Sequence, residues 1–460
     1  MKNPILRGAR LVGALAAIMA MPAFRSLEAA VLPAKERITV MISVDGFPWW
    51  LWEDPTLPVP TLRRLAAEGV ASRMKVSNPS ITWINHTTLV TGVHPAKHGV
   101  LYNGLLVRQG PTQPTKIEPW RSKAELVHVP TVYDRAFEAG LTTAQIDWVA
   151  ITNAPTITWN WFEVPDTNGE LGKELVAQGV LSAQELAEFI KGKNVAWRDM
   201  VWTKAAAHLI KTRRPNLLLF HPLNTDNINH QYGPGTWASY TAYGYVDRLI
   251  GEVLAALQQA GMEDKATVFI VTDHGFKKVS KVILPNVVLR KAGLVRAAGP
   301  TVSSCDAYVM AQGGMSFVYV TDKQRPGELV PRLKEIFAKQ EGVARVVEPK
   351  DYAALGMPTP EMNDGAGDLV IFAKSGYAFQ QGAAGEREIV PASEVNYLGT
   401  HGYPNTDPEL DGVFLAWGYG IKGGGRLPRM ENIDVAPTVA ELLGVKLPSP
   451  DGRVLREILK

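Results

Sequence analysis

Histidine and aspartate recur together in three short, glycine-flanked stretches, "DNINHQYGPG", "TDHGF" and "GTHGYPN". The first holds Asp226 and His230 four residues apart, so one helical turn aims both side chains at one point. The second sets Asp273 beside His274. Neighbours on a regular strand face opposite ways, and Gly275 supplies the turn that lets both converge. The third carries His401. With Asp45 from "VDGF", these side chains form a nitrogen and oxygen donor set without cysteine, which suits zinc, and manganese or iron less well. Six such ligands fill two sites of three, each keeping the open position that marks a catalytic metal. Two ions a few ångströms apart hold the attacking and leaving oxygens of an in-line displacement at phosphorus. Any one of these histidines alone reads as a hydrogen-bonded loop residue; the whole set does not.

The nucleophile such a centre needs is offered by "NPSITWINHTTLVTGVHPAKHG", residues 78–99. Thr82 stands at the start of a helical pattern, where a threonine ordinarily caps. A helix N-terminus also favours negative charge, and a threonine hydroxyl held as alkoxide by a metal attacks phosphorus to give a phospho-threonine intermediate. Asn85, three residues on and on the same helical face, is placed to donate to a non-bridging phosphoryl oxygen, or simply to bond the helix start.

The elements that must position these residues follow from hydrophobic periodicity. "RITVMISVDGF", "NLLLFHPLNTD" and "TVFIVTDHG" read as buried strands, each ending at or near an aspartate. "TLRRLAAEGVASR" and "SYTAYGYVDRLIGEVLAALQQAG" read as helices, and "TVYDRAFEAGLTTAQID" as helix, glycine stop and strand. This alternation predicts an α/β fold: a mostly parallel sheet with helices on both faces, and ligands gathered at the carboxyl ends of its strands. The texture changes after His274. "AYVMAQGGMSFVYV", "RPGELVPRLKEIFAKQEG" and "GDLVIFAKSGYAF" predict a smaller α+β cap insertion over residues 278–395, between core segments 31–277 and 396–460.

Composition sets the outer bounds. A chain of 460 residues with 46% hydrophobic and 20% charged residues is neither disordered nor a multi-span membrane protein. A net charge of +3 with no long basic run gives no nucleic-acid-binding surface, and a single cysteine, Cys305, excludes intramolecular disulfides and a cysteine zinc cage. Residues 1–30, with Lys2, Arg7 and Arg10 before a short apolar run, have the layout of a bacterial-type signal peptide. Export to a periplasm or beyond is expected, with no stable membrane span once the signal is cleaved; an uncleaved anchor is the alternative.

"VDG", "SITWINHTTLVTGVHPAKHG", "DNINHQYGP", "VTDHG" and "GTHG", in this order, resemble the alkaline phosphatase superfamily, most closely its type I nucleotide pyrophosphatase/phosphodiesterase branch. Thr82, Trp83, Asn85 and His86 match that branch's Thr-aromatic-x-Asn-His motif. The resemblance implies two zinc ions, one held by Asp226, His230 and His401, the other by Asp45, Thr82, Asp273 and His274. It implies a small-molecule phosphate ester as substrate, with cleavage of phosphodiester or phosphoanhydride bonds. It also places Trp83 and His221 as substrate contacts, His221 standing where nucleotide-cleaving members carry a tyrosine. "QIDWVAITNAP" replaces their usual Trp-Pro-Gly run, and the insertion before His401 looks more like the caps of bacterial relatives, including phosphonoacetate hydrolases. A phosphate monoester or phosphonate hydrolase using the same site is therefore the alternative activity, and a catalytically silent, metal-stabilised binding protein the alternative of another class. No Cys or Ser followed by x-Pro-x-Arg stands at the nucleophile position, which disfavours a sulfatase.

Overall fold

The strand Ile38–Ser43 is buried at all six positions, as a strand covered on both faces must be. It lies between Leu217–Phe220 and Ala266–Val271 and runs parallel to both, with Ile42 level with Phe220 and Ile270. The computed structural model describes Met1 and residues 32–163, 169–190 and 194–460, and Pro33–Lys460 forms one compact unit. The signal segment expected over residues 1–30 falls, apart from Met1, outside the described residues. Among the described residues no helix is long and apolar enough to cross a membrane.

These three strands are the middle of a nine-stranded sheet. On one side follow Thr143–Ile146 and Trp159–Trp161, both parallel to the set. On the other side lies Gly412–Gly418, antiparallel to its neighbours Ala266–Val271 and Val70–Lys75. The sheet is therefore largely parallel, as the alternation of elements predicts, with one late strand inserted the other way.

Period-two alternation divides the side chains between two cores. Val40, Ile42, Leu218, Phe220, Val268 and Ile270 face the helices Pro60–Glu68, Val195–Thr212 and Trp237–Gln259. Met41, Leu217, Leu219, Phe269 and Val271 face Thr82–Thr91, Val132–Glu138 and Val435–Leu443. Asp247 joins two helices of the first layer, accepting hydrogen bonds from the backbone N–H groups of Thr61 and Leu62 at 3.0 and 2.8 Å. It thereby satisfies donors that Pro60–Glu68 leaves unpaired at its start.

A second, antiparallel sheet runs in the order Ala307–Gln312, Met315–Val320, Leu369–Ala373 and Val343–Val347. The helix Pro326–Lys339 buries Leu329, Leu333 and Phe337 in the core associated with this sheet. The strand Lys277–Ile283 crosses the boundary expected at 277/278 and pairs with Gly376–Phe379, Ile389–Pro391 and Gly399–Thr400. The last pairing ties the segment before His401 to the strand that follows His274.

Tight packing at Gly412 lets the late strand pass the aspartate–histidine turn. A Cβ there would lie 1.7 Å from the Thr272 methyl carbon, while the Thr272 hydroxyl accepts from Phe47 N–H and donates to the His274 carbonyl at 3.0 and 3.1 Å. Gly412→Ala is expected to cost about 1–3 kcal/mol by overpacking. Thr272→Ser, which removes that methyl and keeps the hydroxyl, should recover much of the loss. Urea unfolding midpoints of the two single variants and the double variant check this; simple additivity would show that the contact is not the cause.

Candidate active site

The three central strands each release a carboxylate at their carboxyl end. The chain turns just after Asp45 at Gly46, whose φ is +67° and where a Cβ would lie 2.8 Å from the Phe276 ring. Asp273 is fixed through one oxygen only. Its Oδ1 accepts from the backbone N–H groups of Gly46 and His274, both at 3.0 Å, leaving Oδ2 uncommitted. Asp226 and His230 share the helix Asn224–Tyr232, with His230 Nε2 3.3 Å from Asp226 Oδ1. That helix is anchored by buried Asp199, which accepts from the N–H groups of Leu223 and Asn224 at 3.0 Å each. His401 arrives from the loop after Gly399–Thr400, and its ring stacks on His274 at 3.6 Å and 9°.

All three histidines are held alike. Nδ1 of His230, His274 and His401 faces the backbone carbonyl of Gly399, Gly275 and Ser80, at 2.9, 3.1 and 2.9 Å. Donation from Nδ1 leaves the Nε2 lone pairs turned toward the carboxylates, the tautomer that ligates metal. The Nε2 to carboxylate gaps are 3.4 Å for His274 to Asp45, 3.3 Å for His274 to Asp273 and 3.7 Å for His401 to Asp226. Lone pairs facing carboxylates need a cation between them. Asp45 Oδ1, Asp226 Oδ1 and Asp273 Oδ2 are moreover buried without a hydrogen-bond partner among the described residues, a costly arrangement unless charge compensates it. Two groupings, Asp226–His230–His401 and Asp45–Asp273–His274, have their ligand atoms within 4.8 Å of one another, so this donor set fits divalent metal.

The electrostatics agree. Burial, with Asp273 and Asp226 adjacent, pushes the Asp45 carboxyl well above its ordinary value. Burial also lowers His274 to about 4 and His401 to about 3, keeping both imidazoles neutral near pH 7. Asp226 goes the other way: burial opposes its charge, but His230 and His401 beside it hold its carboxyl below the usual range.

Thr82 is the first residue of the helix Thr82–Thr91, whose cap position is Ile81; its hydroxyl makes no capping bond. Its Oγ1 lies instead 3.4 Å from His274 Nε2, in a site where Thr82 is 8% exposed. The structure thus brings together Asp45, Thr82, Asp226, His230, Asp273, His274 and His401.

Two residues singled out in the sequence, Asn85 and His221, sit elsewhere than expected. Asn85 is fully buried in structural bonds: Oδ1 accepts from Ser77 N–H and Asn432 Nδ2 at 2.8 Å each, and Nδ2 donates to the carbonyls of Pro79 and Ile81 at 3.1 Å each. No donor is left for a phosphoryl oxygen. His221 is 1% exposed, with Nε2 2.9 Å from Asp45 Oδ2 and Nδ1 3.1 Å from the Asp147 carbonyl, so it backs a carboxylate rather than facing substrate. Trp83 is buried, its ring 6.1 Å from the half-exposed ring of Trp120. His86 joins His221 and Asp273 in a third grouping, but its Nδ1 lies 2.8 Å from the Thr82 carbonyl in the helix.

The asparagine whose side chain meets the helix start beside Thr82 is Asn103, which the sequence analysis missed. Its Oδ1 accepts from Trp83 N–H at 3.1 Å, and its Nδ2 makes no hydrogen bond among the described residues. In sequence, "YNGL" signals only a turn.

The chain is 24% identical over 430 residues to the venom phosphodiesterase of Macrovipera lebetinus, covering 90% of this chain and 44% of that protein. It spans a little under half the length of the venom enzymes it matches. It is also 24% identical over 453 residues to ectonucleotide pyrophosphatase/phosphodiesterase family member 7 of Mus musculus, covering 94% of this chain and 91% of the relative. The structure of murine ectonucleotide pyrophosphatase/phosphodiesterase 5 shares the fold, with a TM-score of 0.68 at 16% identity over 92% of this chain and 100% of that one. A family model described as type I phosphodiesterase / nucleotide pyrophosphatase matches residues 39–404, most of the chain, and to that family the chain belongs.

Proposed function

We propose that this chain hydrolyses phosphate diesters or phosphoanhydrides by a two-step displacement through Thr82. The observation that carries this reading is the Thr82 hydroxyl, free of any capping bond at a helix start and 3.4 Å from His274, beside ligand groups with unsatisfied carboxylate oxygens. Two zinc ions would be held by Asp226, His230 and His401 and by Asp45, Thr82, Asp273 and His274. Bound there, they would supply Lewis acidity for the attacking and leaving oxygens and neutralise the buried carboxylates.

Thr82 Oγ1 gives its proton to solvent and forms the bond to phosphorus, the bond to the departing alcohol or phosphate breaks, and the leaving oxygen takes a proton from solvent. Water then cleaves the phospho-threonine and restores the hydroxyl. Asn103 Nδ2, oriented by the bond from Trp83 N–H to its own Oδ1, donates to a non-bridging oxygen as charge builds. A nucleotide-type ester is a reasonable occupant, since an inactive threonine-to-alanine form of murine ectonucleotide pyrophosphatase/phosphodiesterase 5 is known in complex with AMP. Residues 278–395 act as a cap on this site, and the basic, then apolar N-terminal run directs export.

An aryl phosphodiester and the matching monoester test the reading. kcat/KM should favour the diester and fall by about 10³-fold or more in Thr82→Ala, with zinc content by elemental analysis largely retained. Preference for the monoester would overturn the diester assignment. Removing metal with a chelator should abolish turnover and lower Tm, because it leaves the buried carboxylates repelling one another. The two asparagines should separate cleanly. Asn103→Ala is expected to lower kcat by about 10²–10³-fold with little change in Tm. Asn85→Ala should lower Tm, as the loss of several buried hydrogen bonds requires.

A further inference from the structure

Beside the site lies a cleft of about 240 Å³, below the roughly 300–1,000 Å³ of pockets that hold drug-sized ligands. Alongside apolar residues such as Ile117 and Phe379, its wall includes Ile81, which precedes Thr82, and His401, with the polar side chains of Asn103 and three glutamines, Gln312, Gln380 and Gln381. No lysine, arginine, aspartate or glutamate lines it. We propose that this cleft receives the leaving alcohol of the diester and selects a small, uncharged, hydroxyl-bearing one. The proposal rests on the diesterase reading above and names the substrate class within it.

Position assigns the cleft to the leaving group. Thr82 Oγ1 sits against His274, on the Asp45–Asp273–His274 side, whereas the cleft is bounded by His401 of the other grouping. In-line attack expels the leaving oxygen opposite the nucleophile, toward the His401 side.

Chemistry assigns the ligand. Gln312 Nε2 donates to the Leu101 carbonyl at 3.1 Å and Gln381 Nε2 to the Tyr308 hydroxyl at 3.0 Å, so among the described residues each amide oxygen remains an unused acceptor, with one N–H also to spare. The Gln380 side chain makes no hydrogen bond among the described residues, while its backbone N–H is fixed to the Ile283 carbonyl at 3.1 Å. The wall is rigid: Phe379 N–H donates to the Gly313 carbonyl at 2.7 Å, joining the two stretches that carry the glutamines. Acceptors on fixed backbone suit hydroxyl donors. A further phosphate on the leaving group would find no lysine or arginine. A quaternary ammonium would find no carboxylate; of the two aromatics lining the cleft, the Tyr397 ring is stacked on His230 at 5.0 Å and 14° and Phe379 is 1% exposed.

The test uses four AMP esters whose leaving alcohols are glycerol, 1-propanol, choline and glycerol 3-phosphate, with AMP release as the common readout on the zinc-loaded, full-length protein. The glycerol ester should exceed each of the others in kcat/KM by about tenfold or more, as two or more hydrogen bonds predict. In the Gln312→Leu/Gln380→Leu double variant, the glycerol-to-propanol ratio should fall toward one. Equal rates on the glycerol and propanol esters overturn the cleft assignment while the diesterase reading stands. Preference for the choline or glycerol 3-phosphate ester overturns it likewise. No AMP from any ester, together with no hydrolysis of an aryl diester, overturns both readings. If the double variant fails to fold, the wild-type series alone decides.

Discussion

Mutual repulsion among two buried carboxylates and a third, half-buried one is the constraint on which the rest of the structure depends. Asp45 and Asp273 follow two adjacent parallel strands, and Asp226 stands on the helix after the neighbouring strand, all gathered at the same sheet edge. Each has an oxygen with no hydrogen-bond partner among the described residues. A fold built for stability alone would have placed apolar or hydrogen-bonded residues here. Nearby features serve to hold charge in place: the two N–H groups on one oxygen of Asp273, the histidine rings locked through Nδ1, and the glycines that bring the turns close.

Much of this was legible in the sequence because parallel sheets leave a strong trace. A strand buried on both faces reads as an unbroken apolar run, so an aspartate just past it stands out, and three did. The helical spacing of Asp226 and His230 was equally plain. What spacing does not carry is which side of a helix start meets the interior. Asn85 lies three residues after Thr82, yet that face of the helix packs against Asn432 and Ser77, so its amide is consumed by structure. Asn103 reaches the helix start from a separate turn, a contact made only by the tertiary fold. His221 illustrates the same limit: a polar residue just past a strand reads as exposed until its neighbours, Asp45 and Asp147, are known.

The second sheet and the catalytic end of the first are mechanically joined through His401. Gly314 N–H donates to the His401 carbonyl at 2.7 Å, and a Cβ on Gly402 would lie 2.1 Å from the Gln312 carbonyl oxygen. The hairpin turn that presents Gln312 therefore also seats the loop that presents a ligand. Cleft and ligand loop are thus parts of one wall, and a change at Gln312 reaches the backbone that seats His401.

The strand Gly412–Gly418 lies between Val70–Lys75 and Ala266–Val271, elements made far earlier in the chain. It alone joins Val70–Lys75 to the central strands of the sheet. His401 enters just ahead of it, and its Nδ1 and the Gly402 N–H both meet the Ser80 carbonyl, two residues before Thr82. The nucleophile's own loop is thus closed by residues more than three hundred positions downstream. The grouping that contains His401 is therefore completed only by a segment far downstream of the strands that carry Asp45 and Asp273, so no fragment ending before residue 401 holds all seven of the site's side chains.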